Sequence, residues 1–513
     1  MDESALRIGR GAAIALVGSL ASLILAFAAR ALIARYWSTA DYGVFSVALA
    51  VLNISALVAG LGLPLGVTRS IAFARGRGKD AEVRNLISAS IRIGLAASVL
   101  LCVVLFLASD AIAVGLFHDD NLVLPVRVFA FGIPLLTTIY ILVSVFRGFN
   151  DVKPTVYFRD VLRNALLLIA LLPIALLGLS FDWVFYGLLA SLGGSCILLV
   201  AYSCRRVPVR VWLGSLAGAN PATRGLLLFS LPLLGVTVLH LVIGWTDTLM
   251  LGSLKGWPDV GMYNAAFPLA HFISFPLGAL LLIYMPVTAG QFARGLLPEI
   301  RGNFSILTKW VCSITLPVFL VLFLFPETVL SFMFGLGYGP AANALRILSI
   351  GFMLNNFLGP NGSALTAIGR ARFLMWATLA TAALNIGLNA ALIPPLGIEG
   401  AAIASVASVS SINLIRCVRL YSLTKAQPIS MNLAKPTLAS VALVFLVHFI
   451  VSSLTDAALW MLPLFFLLYT GAYLLATLLT KSFDREDLAL LDAIEQRLGV
   501  DLGSLKRLLG RFS

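Results

Sequence analysis

The feature that most restricts this chain is a succession of apolar runs that no water-soluble core could absorb. Residues 93–108 and 166–179 carry no charged side chain at all, and the runs extend further through weakly polar neighbours. A helix of about 20 apolar residues rises about 30 Å, the thickness of the hydrocarbon layer of a bilayer. Of 513 residues, 60% are hydrophobic and only 12% charged, where a soluble domain carries about 25%. Such a chain has too little polar surface to cover a globule in water. It predicts an all-α integral membrane protein.

Hydropathy and flanking charge predict about fourteen transmembrane helices. They lie near 11–34, 42–67, 86–109, 124–146, 161–180, 183–203, 225–251, 261–288, 309–326, 343–368, 373–394, 397–423, 437–455 and 459–480. With the N-terminus inside, 30 of the 36 Lys and Arg fall on one set of alternate loops; Arg30, Arg35, Arg92, Arg127, Lys255 and Arg346 are the rest. This is the positive-inside pattern. It predicts a multi-pass protein of the cell membrane with both termini cytoplasmic and a retained first helix instead of a cleavable signal. It also accounts for the net charge of +13 through cations facing anionic lipid, so nucleic acid is not an expected partner. The five cysteines include no Cys-x-x-Cys pair, and their odd number does not suggest a disulfide framework. No metal-spaced cluster and no nucleotide motif appears, and no cofactor is expected; Gly335 to Gly339 reads as a turn.

An internal repeat is visible. Val104-Leu105-Phe106-Leu107 followed by Asp110, Ile112 and Phe117 returns as Val321-Leu322-Phe323-Leu324 followed by Glu327, Val329 and Phe334. Asp41, Gly43 and Phe45 return as Asp259, Gly261 and Tyr263, and Arg92 corresponds to Lys309. An even number of helices per repeat gives both copies one orientation, hence two bundles related by an axis along the membrane normal. The expected domains are a six-helix bundle over 1–205, a second over 225–423, an extra helix pair at 437–480 and a cytoplasmic amphipathic tail at 481–513. In that tail Leu488, Leu491, Ile494 and Leu498 share one face.

Trp245 to Gly252 followed by Asp259 to Ala266, and Arg30 to Ala34 followed by Asp41-Tyr42-Gly43-Val44-Phe45, resemble motifs of polysaccharide transport proteins. These are the Wzx-type lipid-linked oligosaccharide flippases, in the superfamily that contains multidrug and toxin extrusion (MATE) transporters, and the long tail resembles that of archaeal members. The resemblance implies a MATE-like fold of two parallel repeats. It also implies translocation of a polyprenyl-(di)phosphate-linked glycan by alternating access, coupled to an ion such as H+ or Na+, among membrane lipids and alongside glycan-assembly proteins.

Charges inside the predicted spans need a reason, because each costs at least ~2.5 kcal/mol at the bilayer centre. Arg30 shares a helical face with Ser19, Ser22 and Ala26, so it either lines a polar path or snorkels to the headgroups. Asp247 is its repeat equivalent, and His240 lies seven residues before it. Paired across the repeat axis, Arg30 and Asp247 would form an outer gate. Arg92 and Lys309 lie inside the cytoplasmic boundary, at a depth suited to a lipid phosphate or to ordinary positive-inside flanking. His271 on the eighth span, with Asn264, Asn385 and Asn389, either touches substrate or bonds neighbouring helices. Tyr36, Trp37, Tyr42, Trp183, Trp257 and Tyr263 read as an interfacial aromatic belt. Pro232, Pro268, Pro276 and Pro286 read as kinks that bending helices would use. Two rivals remain: a drug or metabolite cation antiporter of the same fold, for which Asp247 speaks, and a membrane-embedded glycan polymerase or transferase, for which the short outer loops speak poorly.

Overall fold

The computed structural model describes residues 3–206, 221–428, 431–452, 461–480 and 482; the amphipathic tail expected at 484–498 and the basic residues beyond it lie outside them. Every described element is helical. A bilayer offers no water to the backbone, so each amide and carbonyl must find its partner within its own segment. Among the described residues seven helices are long and apolar enough to cross a membrane, or nine if two bent pairs each count as one span.

The expected count of fourteen is not reached in this way, because several spans are broken. The 124–146 span is two helices meeting at 41°. The 261–288 span is interrupted by a 3-10 turn, Phe272–Ser274. The 343–368 span breaks at Gly359, whose φ is +69°. The 373–394 and 397–423 spans meet at Gly397, whose backbone is not helical (φ 56°, ψ −129°), just after Pro394 and Pro395.

The chain forms two compact units, Arg10–Gly261 and Met262–Ser513 with Met1–Gly9. The first unit contains α1 (Glu3–Tyr36), α2 (Thr39–Ala59), α3 (Leu63–Gly76), α4 (Asp80–Leu107), α5 (Ser109–Phe117), α6 (Val123–Ala130) and α7 (Gly132–Gly148). A π-helical segment, Thr155–Leu162, then leads into α8 (Arg163–Leu176), followed by α9 (Asp182–Arg206), α10 (Pro221–Leu254) and the start of α11 (Trp257–His271). The division between compact units falls after Gly261. The helix carrying the seventh span, α10, packs on α2, α3 and α4.

The middle of α4 shows how helices approach closely in this unit. Between Ser90 and Cys102 its buried positions are small, Ser90, Gly94, Ser98 and Cys102. The large ones, Leu95, Val99, Leu100, Val103 and Leu107, are exposed to the surroundings. Without a hydrophobic drive between helices in lipid, close backbone approach supplies the attraction. At Gly94 an added Cβ would lie 2.0 Å from Ile141 of α7; at Gly66 of α3 it would lie 2.0 Å from Ser230 of α10.

The repeated Asp-x-Gly motif has a structural reason. Asp41 completes a capping box with Ser38, each side chain accepting the other's backbone N–H, and Asp259 sits in the first turn of α11. The two glycines then meet reciprocally. A Cβ on Gly43 would lie 2.0 Å from the Trp257 carbonyl, and one on Gly261 would lie 2.0 Å from the Thr39 carbonyl. Not all the aromatics of these segments form a belt. Tyr36 and Trp183 are exposed, but Tyr42 and Tyr263 are fully buried, and the Trp257 indole N–H donates to Asp119. The expected belt fails there because those rings fill helix–helix gaps.

The second unit continues with α12 (Phe275–Ala293), α13 (Leu297–Leu324), α14 (Pro326–Phe334), α15 (Ala342–Phe357), α16 (Asn361–Ala367), α17 (Ala371–Thr424), α18 (Met431–Ser452) and α19 (Met461–Leu479). The last two pack on each other and on α13. Polar contacts fix their register. The Ser440 hydroxyl donates to the Tyr469 hydroxyl at 3.3 Å, and the Ser313 and Tyr473 hydroxyls bond one another. Buried polar pairs of this kind align helices that apolar contact alone would let slide.

Gly43→Ala and Gly261→Ala each place a methyl against a backbone carbonyl that cannot rotate away. Each should lower the thermal stability of the detergent-solubilised protein, by about 1–3 kcal/mol. Gly115→Ala, which meets nothing within 4 Å, should leave it unchanged. Equal melting of all three would refute the close approach.

Candidate functional site

In the first unit, the charged and polar side chains gather on α1, α4, α10 and the π-helical segment. Arg30 is partly buried on α1, between the fully buried Ala29 and Ile33. It lies near enough to Tyr42 of α2 to act on it electrostatically. The stripe expected to lead up to it does not face one open path throughout. The Ser22 hydroxyl donates to the Asp160 carbonyl at 3.1 Å and accepts from the Asn164 amide at 3.0 Å. These bonds hold α1 against the π-helical segment two turns from Arg30.

That segment is the part of the site that sequence reasoning missed. Residues 155–162 hydrogen-bond with π periodicity, a geometry that recurs at functional places in helices. Two of its carbonyls take side-chain donors: Ser195 of α9 donates to Phe158 O at 2.7 Å, while Ser22 and Asn164 both donate to Asp160 O. Arg159 grips the Asp160 carboxylate with two bonds, of 2.7 and 3.1 Å, and both side chains are largely buried. Arg147 donates to Thr155 Oγ1 at 3.2 Å. Counted by sequence, Arg147 and Arg159 are loop cations; folded, they belong to a helix-borne polar network. The one available signal was Asp160 with Asn164 four residues on, a pair sharing a helix face.

Asp247 of α10 is 4% exposed, with Thr246 and Thr248 buried beside it. It lies in the same compact unit as Arg30. His240 precedes it on the same helix, with its side chain outside the described part. The helix bends by 53° between 224–239 and 243–254, so Asp247 lies just past the bend. A carboxylate on a short stem cannot snorkel, and its burial here marks it as engaged within the protein. Arg92 is partly buried on α4, and its Nε donates to the Ser88 carbonyl one turn back at 3.4 Å.

The other two candidates lie in the second unit, each with a local role. His271 at the end of α11 stacks on Phe267 (6.1 Å between ring centroids) and meets Phe352 of α15 edge-on at 5.3 Å. Lys309 of α13 is 6% exposed. Its ammonium donates to the Ser482 carbonyl at 3.1 Å, just past the end of α19, where a helix leaves carbonyls without partners. Lys309 thus ties the C-terminal helix pair to α13. Asn385 and Asn389 are fully buried in α17, and the Asn385 amide reaches Ser408 at 3.4 Å, a bond between the two limbs of that helix.

A cavity of about 390 Å³ lies elsewhere in the first unit, lined by Phe106, Asp120, Arg127, Phe131 and Tyr186 among others. Arg127 there is paired with Asp110 at 2.7 Å. None of the charged candidates lines it. Among the described residues no group of three His, Cys, Asp or Glu side chains is placed to hold a metal.

Broken helices, buried charges on spanning segments and close helix packing at small residues define a polytopic membrane protein. The chain belongs to the polysaccharide biosynthesis protein family, which matches residues 8–289. Stage V sporulation protein B of Bacillus subtilis is 22% identical over 77% of this chain and 80% of its own length. An uncharacterised membrane protein of Methanocaldococcus jannaschii, MJ1068, is 26% identical, but that match spans 32% of this chain and 33% of the relative. Among solved structures, the lipid II flippase MurJ in an inward closed conformation superposes with a TM-score of 0.72, at 14% identity over 90% of this chain and 98% of MurJ. An inward-facing MATE family transporter superposes at 0.68, with 17% identity over 79% and 95%. The chain shares the fold of both.

Asn164→Ala removes two hydrogen bonds from α8 to Ser22 of α1 and one to the Asp160 carbonyl of the π-helical segment. It should lower thermal stability by about 1–3 kcal/mol and speed proteolysis within α1. Asn164→Ser, which keeps a donor, should recover part of the loss. Unchanged stability in the alanine variant would show that the network does not hold α1.

Proposed function

We propose that this protein is a flippase that moves a polyprenyl-(di)phosphate-linked oligosaccharide across the cell membrane by alternating access, with both termini cytoplasmic. The observation that carries the reading is the pair of arginines, Arg30 and Arg92, set within spanning helices of a chain from a polysaccharide biosynthesis family. An isoprenoid tail is at home in lipid, whereas the phosphate and the sugars are not. A flippase therefore needs cations at bilayer depth and polar groups along the path, and has no need to make or break covalent bonds. Arg92 would receive the phosphate near one membrane face, because a guanidinium fork matches two phosphate oxygens. Arg30 and Asp247 would alternate between pairing with each other and releasing Arg30 to the passing anion. The names of the relatives and neighbours support this cargo: a teichuronic acid biosynthesis protein of Bacillus subtilis is 28% identical over 24% of this chain and 26% of its own length, and the MurJ title names a lipid II flippase.

The antiporter reading rests on Asp247, a buried carboxylate that would exchange a cationic drug for H+ or Na+. The two readings differ in the sign of the cargo. In proteoliposomes, the flippase reading expects leaflet transfer of fluorescent polyprenyl-diphosphate glycan, reduced at least about tenfold in Arg92→Gln by loss of a charged hydrogen bond. Transport of a cationic dye with no glycolipid transfer would overturn it.

The gate is tested separately. Arg30→Asp and Asp247→Arg should each abolish transfer by placing like charges together, and the double swap should restore a substantial part of it. A double swap no better than the singles would dismiss the pairing while leaving the cargo assignment intact.

A further inference from the structure

Arg416 is the second unit's unexplained charge. It lies on α17 eight residues before the end at Thr424, a rise of about 12 Å. By sequence it counts as one more cation of an inner loop. In the structure it sits well within the helix, and its neighbours Leu414, Ile415 and Val418 are exposed apolar residues of the kind that face lipid. A helical side chain leans toward the N-terminus of its own helix, which in this limb points away from the nearer end. Its bonds follow that direction. Nη1 donates to Asn413 Oδ1 at 3.4 Å, one turn deeper, and Nη2 donates to Thr378 Oγ1 at 3.2 Å, on the other limb of the same helix. Arg416 does not snorkel.

The guanidinium is held in a frame of neutral groups from four segments. The Asn413 amide donates to Asn355 Oδ1 of α15 at 2.6 Å. The Asn361 amide, at the start of α16, donates to the Asn413 carbonyl at 3.4 Å. A Cβ on Gly362 would come within 3.9 Å of Arg416 Nη1, so α16 passes directly beside the charge. Asn361, Asn413 and Thr378 are all buried. Among the described residues no carboxylate lies within ion-pair distance of Arg416, and its Nε is shielded from solvent with no hydrogen-bond partner.

A guanidinium stays charged in any protein environment. A charge at bilayer depth with only neutral partners is an expensive arrangement, and a shielded donor left unmet adds to the cost. The frame takes one donor from each terminal nitrogen, Nη1 with Asn413 and Nη2 with Thr378, and leaves Nε without an acceptor. The missing complement is an oxyanion presenting two oxygens to a planar fork, which is phosphate chemistry.

We propose that Arg416, positioned by Asn413 and Thr378, anchors a phosphate-binding site in the second unit, filled by the headgroup phosphate of an anionic lipid or by a free phosphate ion. The site stands whether or not the protein flips glycolipids.

The test uses the full chain in neutral detergent with phosphatidylcholine, to which phosphatidylglycerol or inorganic phosphate is added. Wild-type protein should gain thermal stability with at least one of the two additives. Stabilisation by phosphatidylglycerol alone identifies a lipid headgroup, and stabilisation by inorganic phosphate alone identifies a free ion. Arg416→Gln should weaken the apparent affinity for the responding additive about tenfold or more, the equivalent of one charged hydrogen bond. Asn413→Asp covers the case in which the glutamine variant does not fold. It supplies an internal counter-charge, so it should be more stable than wild type without additive and should not respond to it. A wild-type protein stabilised by neither additive, or an Asn413→Asp variant that responds as wild type does, would overturn the site.

Discussion

Everything in this structure follows from placing a polypeptide where no water can meet its polar groups. The backbone answers by going wholly into helices. The side chains answer by putting large apolar groups on the outer surface as well as inside. On α4 the sequence Gly94, Ser98, Cys102 lines the contact, while the leucines and valines between them face out. What holds helices together is then close approach of backbones and a limited set of polar bonds, beside the buried leucine and isoleucine clusters.

This explains which parts of the molecule the sequence disclosed. Span existence was legible because hydropathy is the thermodynamic quantity being satisfied. The Asp-x-Gly repeat was legible as a pattern, and its cause appeared only in three dimensions: a cap on one side, and on the other a glycine pressed against the carbonyl of the opposite copy. Helix breaks were much less legible. The π-helical segment 155–162 and the 3-10 turn at 272–274 depend on which carbonyls neighbouring helices can satisfy, and no local propensity encodes that. The packing of α10 was equally hidden, because it rests on the fit of Gly62 and Gly66 to Ser230.

The charges show the same division. Sequence position sorts cations into loop and span, and flags Arg30, Arg92 and Asp247 because they interrupt apolar runs. It mis-sorts charges near span ends, where a displacement of two turns decides between a headgroup contact and a buried site. Lys309 reads as a flanking lysine and proves to be the cap of a distant helix end. Arg159 and Arg416 read as loop cations; the first proves to pair with the Asp160 carboxylate beside it, and the second to bond an amide oxygen and a hydroxyl of α17.

These enclosures differ in charge balance, and that difference is informative. Arg159 carries its own carboxylate, Asp160, so that pair is neutral and suited to a structural role in the π-helical segment. Arg416 has an equally elaborate setting with no counter-charge. A neutral pair at bilayer depth has little need of a further partner; an arginine ringed by amides has one position still to fill. A transporter of phosphate-bearing lipids must avoid trapping its cargo at the first cation it meets. Internal neutralisation at Arg159 leaves the arginine little reason to hold a passing phosphate, while Arg30 and Arg92, the cations proposed to handle cargo, sit on other helices. The distribution of carboxylates, more than that of arginines, therefore determines which cations of this membrane domain remain open to an anion.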